Sequence, residues 1–293
     1  MKEKIKTSVS AASGGTITLG GKLTFNRLGF GAMRLTGDGV WGPPKNRAAA
    51  LAVLRRAVEL GVNVIDTADS YGPNVSEELI AEALVPYPKD LVIATKGGWN
   101  RPGPNQWTHD ASPAHLRKAL EGSLKRLRLD RIDVYQLHVP DPVVPFDASL
   151  ETLCNLQSEG KIRLVALSNV TVEHIERARK IVPIASVQNR YSFADREWDN
   201  VVDYCEANGI AFIPWFPLGA GTVAGKLLER IAKANKVKPI QVALAWLLKR
   251  SPVMLPIPGT SSIAHLEENV QAASLQLTDE EYLELTGVTA LAS

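Results

Sequence analysis

The sequence predicts a single (β/α)8 barrel, and three observations carry that reading. The chain has 293 residues, close to the roughly 250 residues of such a barrel with small additions. Eight short runs rich in Val, Ile and Leu recur along it, mostly apolar on both alternations, as in parallel strands covered by helices. Helical patterns separate these runs, and no break marks a second domain.

The elements follow in order. Residues 1–14 are basic, then small and polar, and read as a loose lead; residues 15–293 read as one barrel domain. In 16–28, TITLGGKLTFNRL, two alternating runs flank Gly20-Gly21. That pattern predicts a β-hairpin, placed to close the bottom of the barrel. The eight strands are expected at 28–33, 62–66, 91–96, 132–138, 162–167, 185–188, 211–214 and 253–257. In the helix at 46–60, Leu51, Leu54 and Val58 share a face and Gly61 can end it. In 113–128, Ser112-Pro113 is a start signal, and Leu116, Leu120, Leu124 and Leu127 form a stripe. Further helices are expected at 76–84, 148–159, 171–181, 197–208, 225–235, 239–250, 262–273 and 278–286. Pro- and Gly-rich stretches at 36–44, 97–113 and 217–225 all follow strands. In a barrel those loops lie on the face where active sites are built.

Composition narrows the function. Apolar residues are 45% and charged residues 22%, which excludes wholesale disorder. A net charge of +2 gives no electrostatic case for nucleic acid or an anionic membrane as partner. Two cysteines, Cys154 and Cys205, rule out a disulfide scaffold and fit free thiols in a reducing cytoplasm. No apolar run approaches the roughly 20 residues of a membrane span, and residues 1–14 lack the apolar core of a secretory signal. The expectation is a cytoplasmic monomer or weak oligomer acting on a small molecule, with no metal.

Polar residues at the ends of buried strands need a reason. The second, third and fourth strands end in Asp66, Lys96 and His138, delivering a carboxylate, an amine and an imidazole to one face. Tyr71 follows Asp66 by five residues, in a loop able to fold back over them. Singly, each has a plain structural explanation: a helix cap, a snorkelling amine, a satisfied core histidine. Together they make a proton-transfer device. A phenol of ordinary pKa, about 10, is a poor acid-base catalyst at neutral pH. A nearby ammonium favours the phenolate and is expected to lower that pKa. Asp66 can balance the ammonium, and His138 can orient a carbonyl oxygen. Trp99 and Trp107 in the loop 97–113, with Trp41 in the loop 36–44, are candidate aromatic walls for a substrate.

At these residues the sequence resembles the aldo-keto reductase superfamily, from about Leu28 to Asn269. GVNVIDTADSYG is similar to the segment with the family's aspartate and tyrosine, ATK to its lysine segment, and LH before Pro140-Asp141 to its histidine segment. The resemblance implies NADPH-dependent reduction of an aldehyde or ketone, with Tyr71 as general acid. Lys96 and Asp66 tune Tyr71, and His138 orients the substrate. It implies that Ser168, Asn169 and Gln188 bind the nicotinamide amide, that Trp215 stacks on the ring, and that Gly31, Ala32 and Met33 lie beside it. It extends the cofactor site to Asp66, to Pro217, Leu218 and Gly219, and to Ile257, Gly259, Thr260, Ser261, His265, Glu268 and Asn269 around the adenosine 2′-phosphate. Gly259 and His265 stand where well-known members have lysine and arginine. GFGAMR at 29–34 lacks the third glycine of a dinucleotide fingerprint, and no helix pattern follows it. GVWGPP, WFPLG and IPGTSSIAHLEEN together resemble a bacterial branch that includes pyridoxal reductases.

Two other classes stay open. One is a lyase in which Lys96 forms a Schiff base, which leaves Tyr71 and the nicotinamide segments unexplained. The other is a non-catalytic binding protein, like the channel β-subunits of this fold. Activity on a simple aldehyde discriminates it.

Overall fold

In the computed structural model, which describes residues 9–218 and 225–290, Gly20 and Gly21 take the positive φ values, 52° and 65°, that turn the chain between two antiparallel strands. These are β1 (Thr16–Leu19) and β2 (Leu23–Asn26), paired from Thr16 with Asn26 to Leu19 with Leu23. Their alternation buries Ile17, Leu19, Leu23 and Phe25 on one side. Those side chains pack against Val64, Val92, Val134, Leu164, Ala185, Ala211 and Leu255, inside the barrel. The hairpin therefore plugs one mouth, as the alternation predicts.

The barrel begins with β3 (Phe30–Gly31), β4 (Val64–Asp66) and β5 (Val92–Gly97). A two-stranded ribbon, β6 (Trp99–Asn100) and β7 (Thr108–His109), follows within the loop 97–113. The barrel continues with β8 (Ile132–Leu137), β9 (Ile162–Ser168), β10 (Ile184–Arg190) and β11 (Ala211–Trp215). From β3 to β11, leaving out the ribbon, the barrel strands are parallel and in chain order. The eighth run, 253–257, is no continuous strand: it pairs with β11 only around Met254. Pro256 has no N–H to give a ladder. The ring still closes through it. Leu255 N donates to Phe212 O at 2.9 Å, and Gly29 N donates to Pro256 O at 2.9 Å. The first strand is shorter than expected, because Ala32–Leu35 tightens into a 3-10 turn. Gly31 has to be glycine, since a Cβ there would stand 2.7 Å from Ile257 O.

Ten helices surround the strands among the described residues: α1 (Arg47–Glu59), α2 (Val75–Leu84), α3 (Pro113–Leu127), α4 (Phe146–Ser158), α5 (Val172–Arg179), α6 (Asp199–Ala207), α7 (Lys226–Asn235), α8 (Pro239–Arg250), α9 (Ile263–Gln271) and α10 (Asp279–Ala290). Each falls within a few residues of its expected place. Side-chain oxygens start several of them. Asn46 accepts from Ala49 N, Ser112 from His115 N and Thr171 from His174 N, each satisfying an orphan donor.

The lead is shorter than composition suggests. Ala11–Gly14 forms a 3-10 turn, Ala11 is fully buried, and its N–H donates to Leu60 O at 2.8 Å. Residues 1–8 lie outside the described residues.

Candidate active site

Strand alternation builds the site. Val64, Val92, Ala94, Val134, Leu164 and Ala166 line the barrel interior above the hairpin. Two residues further along their strands, the same parity brings Asp66, Lys96, Gln136 and Ser168 inward, with Gln188 from β10. An apolar layer thus gives way to a buried polar one at the strands' C-terminal ends, the functional face of a barrel.

Lys96 is fully buried and uses all three ammonium protons. Its Nζ donates to Asp66 Oδ1 at 2.5 Å, Thr67 O at 2.9 Å and Tyr71 Oη at 3.4 Å. The other carboxylate oxygen, Asp66 Oδ2, accepts from Gln136 Nε2 and Gln188 Nε2, both at 2.8 Å. The His138 ring meets the Tyr71 ring edge-on at 5.9 Å. The four residues singled out by chemistry therefore form one cluster.

Its electrostatics correct one expectation. Burial pushes the Tyr71 phenol up, Lys96 pulls it down, and Asp66 pushes it up again; the net shift is upward from about 10. The ammonium does favour the phenolate, but it is already balanced by Asp66 and does not overcome burial. Tyr71 thus holds its proton throughout neutral pH. Burial opposes the charge on Lys96, but Asp66 and Tyr71 outweigh it and its pKa is raised. A Schiff-base lysine needs a neutral amine, so this arrangement disfavours the lyase reading. Burial, then Lys96, drives the His138 pKa well below its ordinary value. Its imidazole is neutral and can donate one N–H.

Above the cluster opens a cavity of about 420 Å³. Asp66, Tyr71 and His138 reach it from below, and Trp99 and Trp107 stand at its side. Of the expected cofactor residues, Gly31, Met33, Ser168, Asn169, Gln188, Trp215, Pro217, Leu218, Ile257 and Gly259 also line it. Ala32 is buried in the 3-10 turn behind. Gly219 lies outside the described residues. Thr260, Ser261 and His265 lie beyond the lining, at the start of α9, where Ser262 caps the helix. Glu268 is paired with Lys238, and Asn269 is buried with its Oδ1 unpartnered. Trp41 does not line the cavity, since its segment pairs with Gly72.

Two amides are already engaged. Asn169 accepts from Trp215 Nε1 at 3.0 Å and donates to His138 O at 2.9 Å. Gln188 gives its nitrogen to Asp66, so its Oε1 is the end left for another partner. The geometry adds residues that sequence reasoning missed. Gln136 is one; its signal was its place two residues before His138 on the same strand. Arg34 is another, the single Lys or Arg in the lining among the described residues, with no carboxylate partner there. Its guanidinium stands 5.5 Å over the Phe216 ring.

These features fit a dinucleotide. Trp215 offers an aromatic face, Arg34 a free cation, and Asn269 Oδ1 an unmet acceptor. Residues 27–290 match the sequence profile of the Aldo/keto reductase family. The chain belongs to that family. An uncharacterized oxidoreductase of Schizosaccharomyces pombe is 49% identical over 286 residues, covering 97% of this chain and 93% of its own. The pyridoxine 4-dehydrogenase of Escherichia coli is 47% identical over 284 residues, covering 94% and 99%. Among solved structures, an aldo/keto reductase from Klebsiella pneumoniae in complex with NADP and acetate superposes with a TM-score of 0.79 at 26% identity, covering 94% of this chain and 95% of that one. A buried tyrosine, lysine, aspartate and histidine under one cavity form an arrangement chemically able to give a proton to a carbonyl oxygen.

Proposed function

We propose that this aldo/keto reductase uses NADPH to reduce a small planar aldehyde, pyridoxal being the first to test, to its alcohol. The observation that carries the reading is the cavity with Tyr71 and His138 at its base and Trp99 and Trp107 at its side. Flat aromatic walls favour a flat ring, and the reacting carbonyl belongs at the base. The relative named pyridoxine 4-dehydrogenase, at 47% identity, and the NADP complex of the Klebsiella neighbour support the substrate and the cofactor.

NADPH, when bound, supplies a hydride to the carbonyl carbon. The neutral His138 donates an N–H to the carbonyl oxygen and holds it near Tyr71. The phenol gives its proton to that oxygen as charge develops there, so one hydride and one proton convert C=O to CH–OH. Lys96, in hydrogen-bond contact with Tyr71 Oη, stabilises the phenolate left behind. Asp66 and Thr67 O hold the ammonium in place. Trp215 would stack on the nicotinamide, Ser168 and Gln188 would hold its amide, and the start of α9 with Thr260 and Ser261 would hold the 2′-phosphate.

Among the described residues no helix is long and apolar enough to cross a membrane. Among the described residues the exposed large apolar side chains are few: Val9, Val85, Val143, Ile263 and Leu283. Together with the free thiols of Cys154 and Cys205, this supports a monomer or weak oligomer in the cytoplasm.

The test is NADPH oxidation with pyridoxal and a panel of small aldehydes. Tyr71→Phe should lower kcat by about 10²–10⁴-fold and leave NADPH binding nearly intact. A variant that kept more than about a tenth of the wild-type kcat would remove Tyr71 as the acid.

A further inference from the structure

Arg101 has a partner set unlike that of any ion-paired arginine in this protein. Its guanidinium donates only to backbone carbonyls: Nε to Gln106 O at 2.8 Å, Nη1 to Val40 O at 2.9 Å and Ser70 O at 2.8 Å, and Nη2 to Gly39 O at 2.9 Å. Those carbonyls belong to three different loops, the ones that follow β3, β4 and β5. Its Cζ lies 3.7 Å from the centroid of the Trp107 ring, over its face, and 5.7 Å from that of Trp41. No carboxylate pairs with it among the described residues.

The connections run both ways. Val40 O also accepts from Gly72 N, and Gly39 O from Asn105 N, so Arg101 sits where the three loops already touch. Trp107 meets Trp99 edge-on at 5.9 Å, and Trp99 meets His138 at 6.3 Å. One planar cation thus holds Trp107, one of the two indoles that line the cavity, without itself lining it. A planar fork with five N–H donors can satisfy four carbonyls and stack on an indole; an ammonium has three donors and no plane to stack.

We propose that Arg101 is a positioning residue for substrate specificity: by locking the three loops it sets the aromatic wall of Trp107 and Trp99, and thereby selects planar aldehydes over small ones. The proposal rests on the reading of this cavity as the substrate site. It assigns Arg101 no part in proton or hydride transfer.

Arg101→Lys and Arg101→Met are the variants to compare, with Tm and NADPH Kd measured alongside. Lysine keeps the charge and loses the fork. Both variants should therefore lose about tenfold in kcat/KM for pyridoxal or another aromatic aldehyde, mainly through KM. Both should keep kcat for the smallest aldehyde, and NADPH Kd, within about twofold. An equal fall in kcat for every aldehyde would overturn the proposal, because Arg101 would then act through Ser70 and Tyr71. Full rescue by lysine would overturn it too, since charge alone would be at work, and so would an unchanged preference in both variants. Failure of the wild-type protein to reduce any aromatic aldehyde would instead count against the substrate reading. The ratio between a bulky and a small aliphatic aldehyde would still test Arg101.

Discussion

Three protons on Lys96 meet three different oxygens, and the consequences of removing them can be separated. Without its ammonium, Tyr71 keeps the burial that raises its pKa and loses the charge that lowers it. The phenol pKa therefore rises further. In Lys96→Met, reduction should fall by about 10²–10⁴-fold. In alcohol oxidation, where the phenolate is the useful form, the rise of kcat/KM with pH should move to higher pH. An oxidation profile with its alkaline limb in the wild-type position would show that Lys96 does not set the pKa of Tyr71. Asp66 keeps its two glutamine partners but loses its cation, so stability should drop by about 3–5 kcal/mol, as when one member of a buried pair is removed. Asp66, Lys96 and His138 were legible because each is a charged or titratable residue ending an apolar run. Gln136 and Gln188 hold Asp66 equally well. The place of Gln136 two residues before His138 was a weak signal and the resemblance named Gln188, but their shared partner on another strand is invisible until the barrel closes. The net direction of the Tyr71 shift was also illegible, since burial is a property of the fold.

The segment between β4 and α2 carries a buried carboxyl that the chemistry does not use. Asp69 N donates to Lys96 O, and Asp69 O accepts from Asn74 N at 2.7 Å, so its backbone shapes the turn that presents Tyr71. The side chain is buried, and its Oδ1 has no partner. Burial, then the charge of Glu77, pushes its pKa up to about 8, against the pull of Arg126 and Lys96. Folding then takes up a proton between the ordinary Asp value of about 3.9 and the folded value of about 8. The penalty is absent below the lower of these, grows as pH rises, and levels off above about 8. Asp69→Asn keeps the shape without the charge. It should raise Tm little near pH 4 and most near pH 8.5, by differential scanning calorimetry. A Tm gain that does not grow with pH would mean Asp69 is solvated in solution. At this scale the helices were the most legible elements, because a 3.6-residue stripe and a capping residue are both local. The run 253–257 was not, because Pro256 breaks a ladder whose partner lies far away in sequence. The ribbon of β6 and β7 was missed for a similar reason: strands of two residues have no period to read.

Taken whole, the barrel interior is filled in order from one end to the other. The hairpin supplies Ile17, Leu19, Leu23 and Phe25, the strand starts supply an apolar layer, and the strand ends supply the polar cluster under the cavity. Stability and chemistry are thus weighted to opposite ends, and they should separate on mutation. Phe25 is fully buried in the plug, and Phe25→Ala removes a ring that neighbouring residues on closed strands cannot fill. Its cost should be about 3–5 kcal/mol, a transfer loss plus a cavity. The site lies beyond the apolar layer, and none of its hydrogen bonds involves the hairpin. At a temperature where the variant stays folded, kcat and NADPH Kd should therefore match the wild type within about twofold, since additivity holds for distant sites with no shared partner. Urea unfolding, read with kcat and Kd under the same buffer and temperature, decides it. A fall in kcat in proportion to the loss of stability would mean that the plug sets the spacing of the strand ends. Asp66, Lys96 and Gln136 would then be positioned from the bottom of the barrel as well as by their own hydrogen bonds.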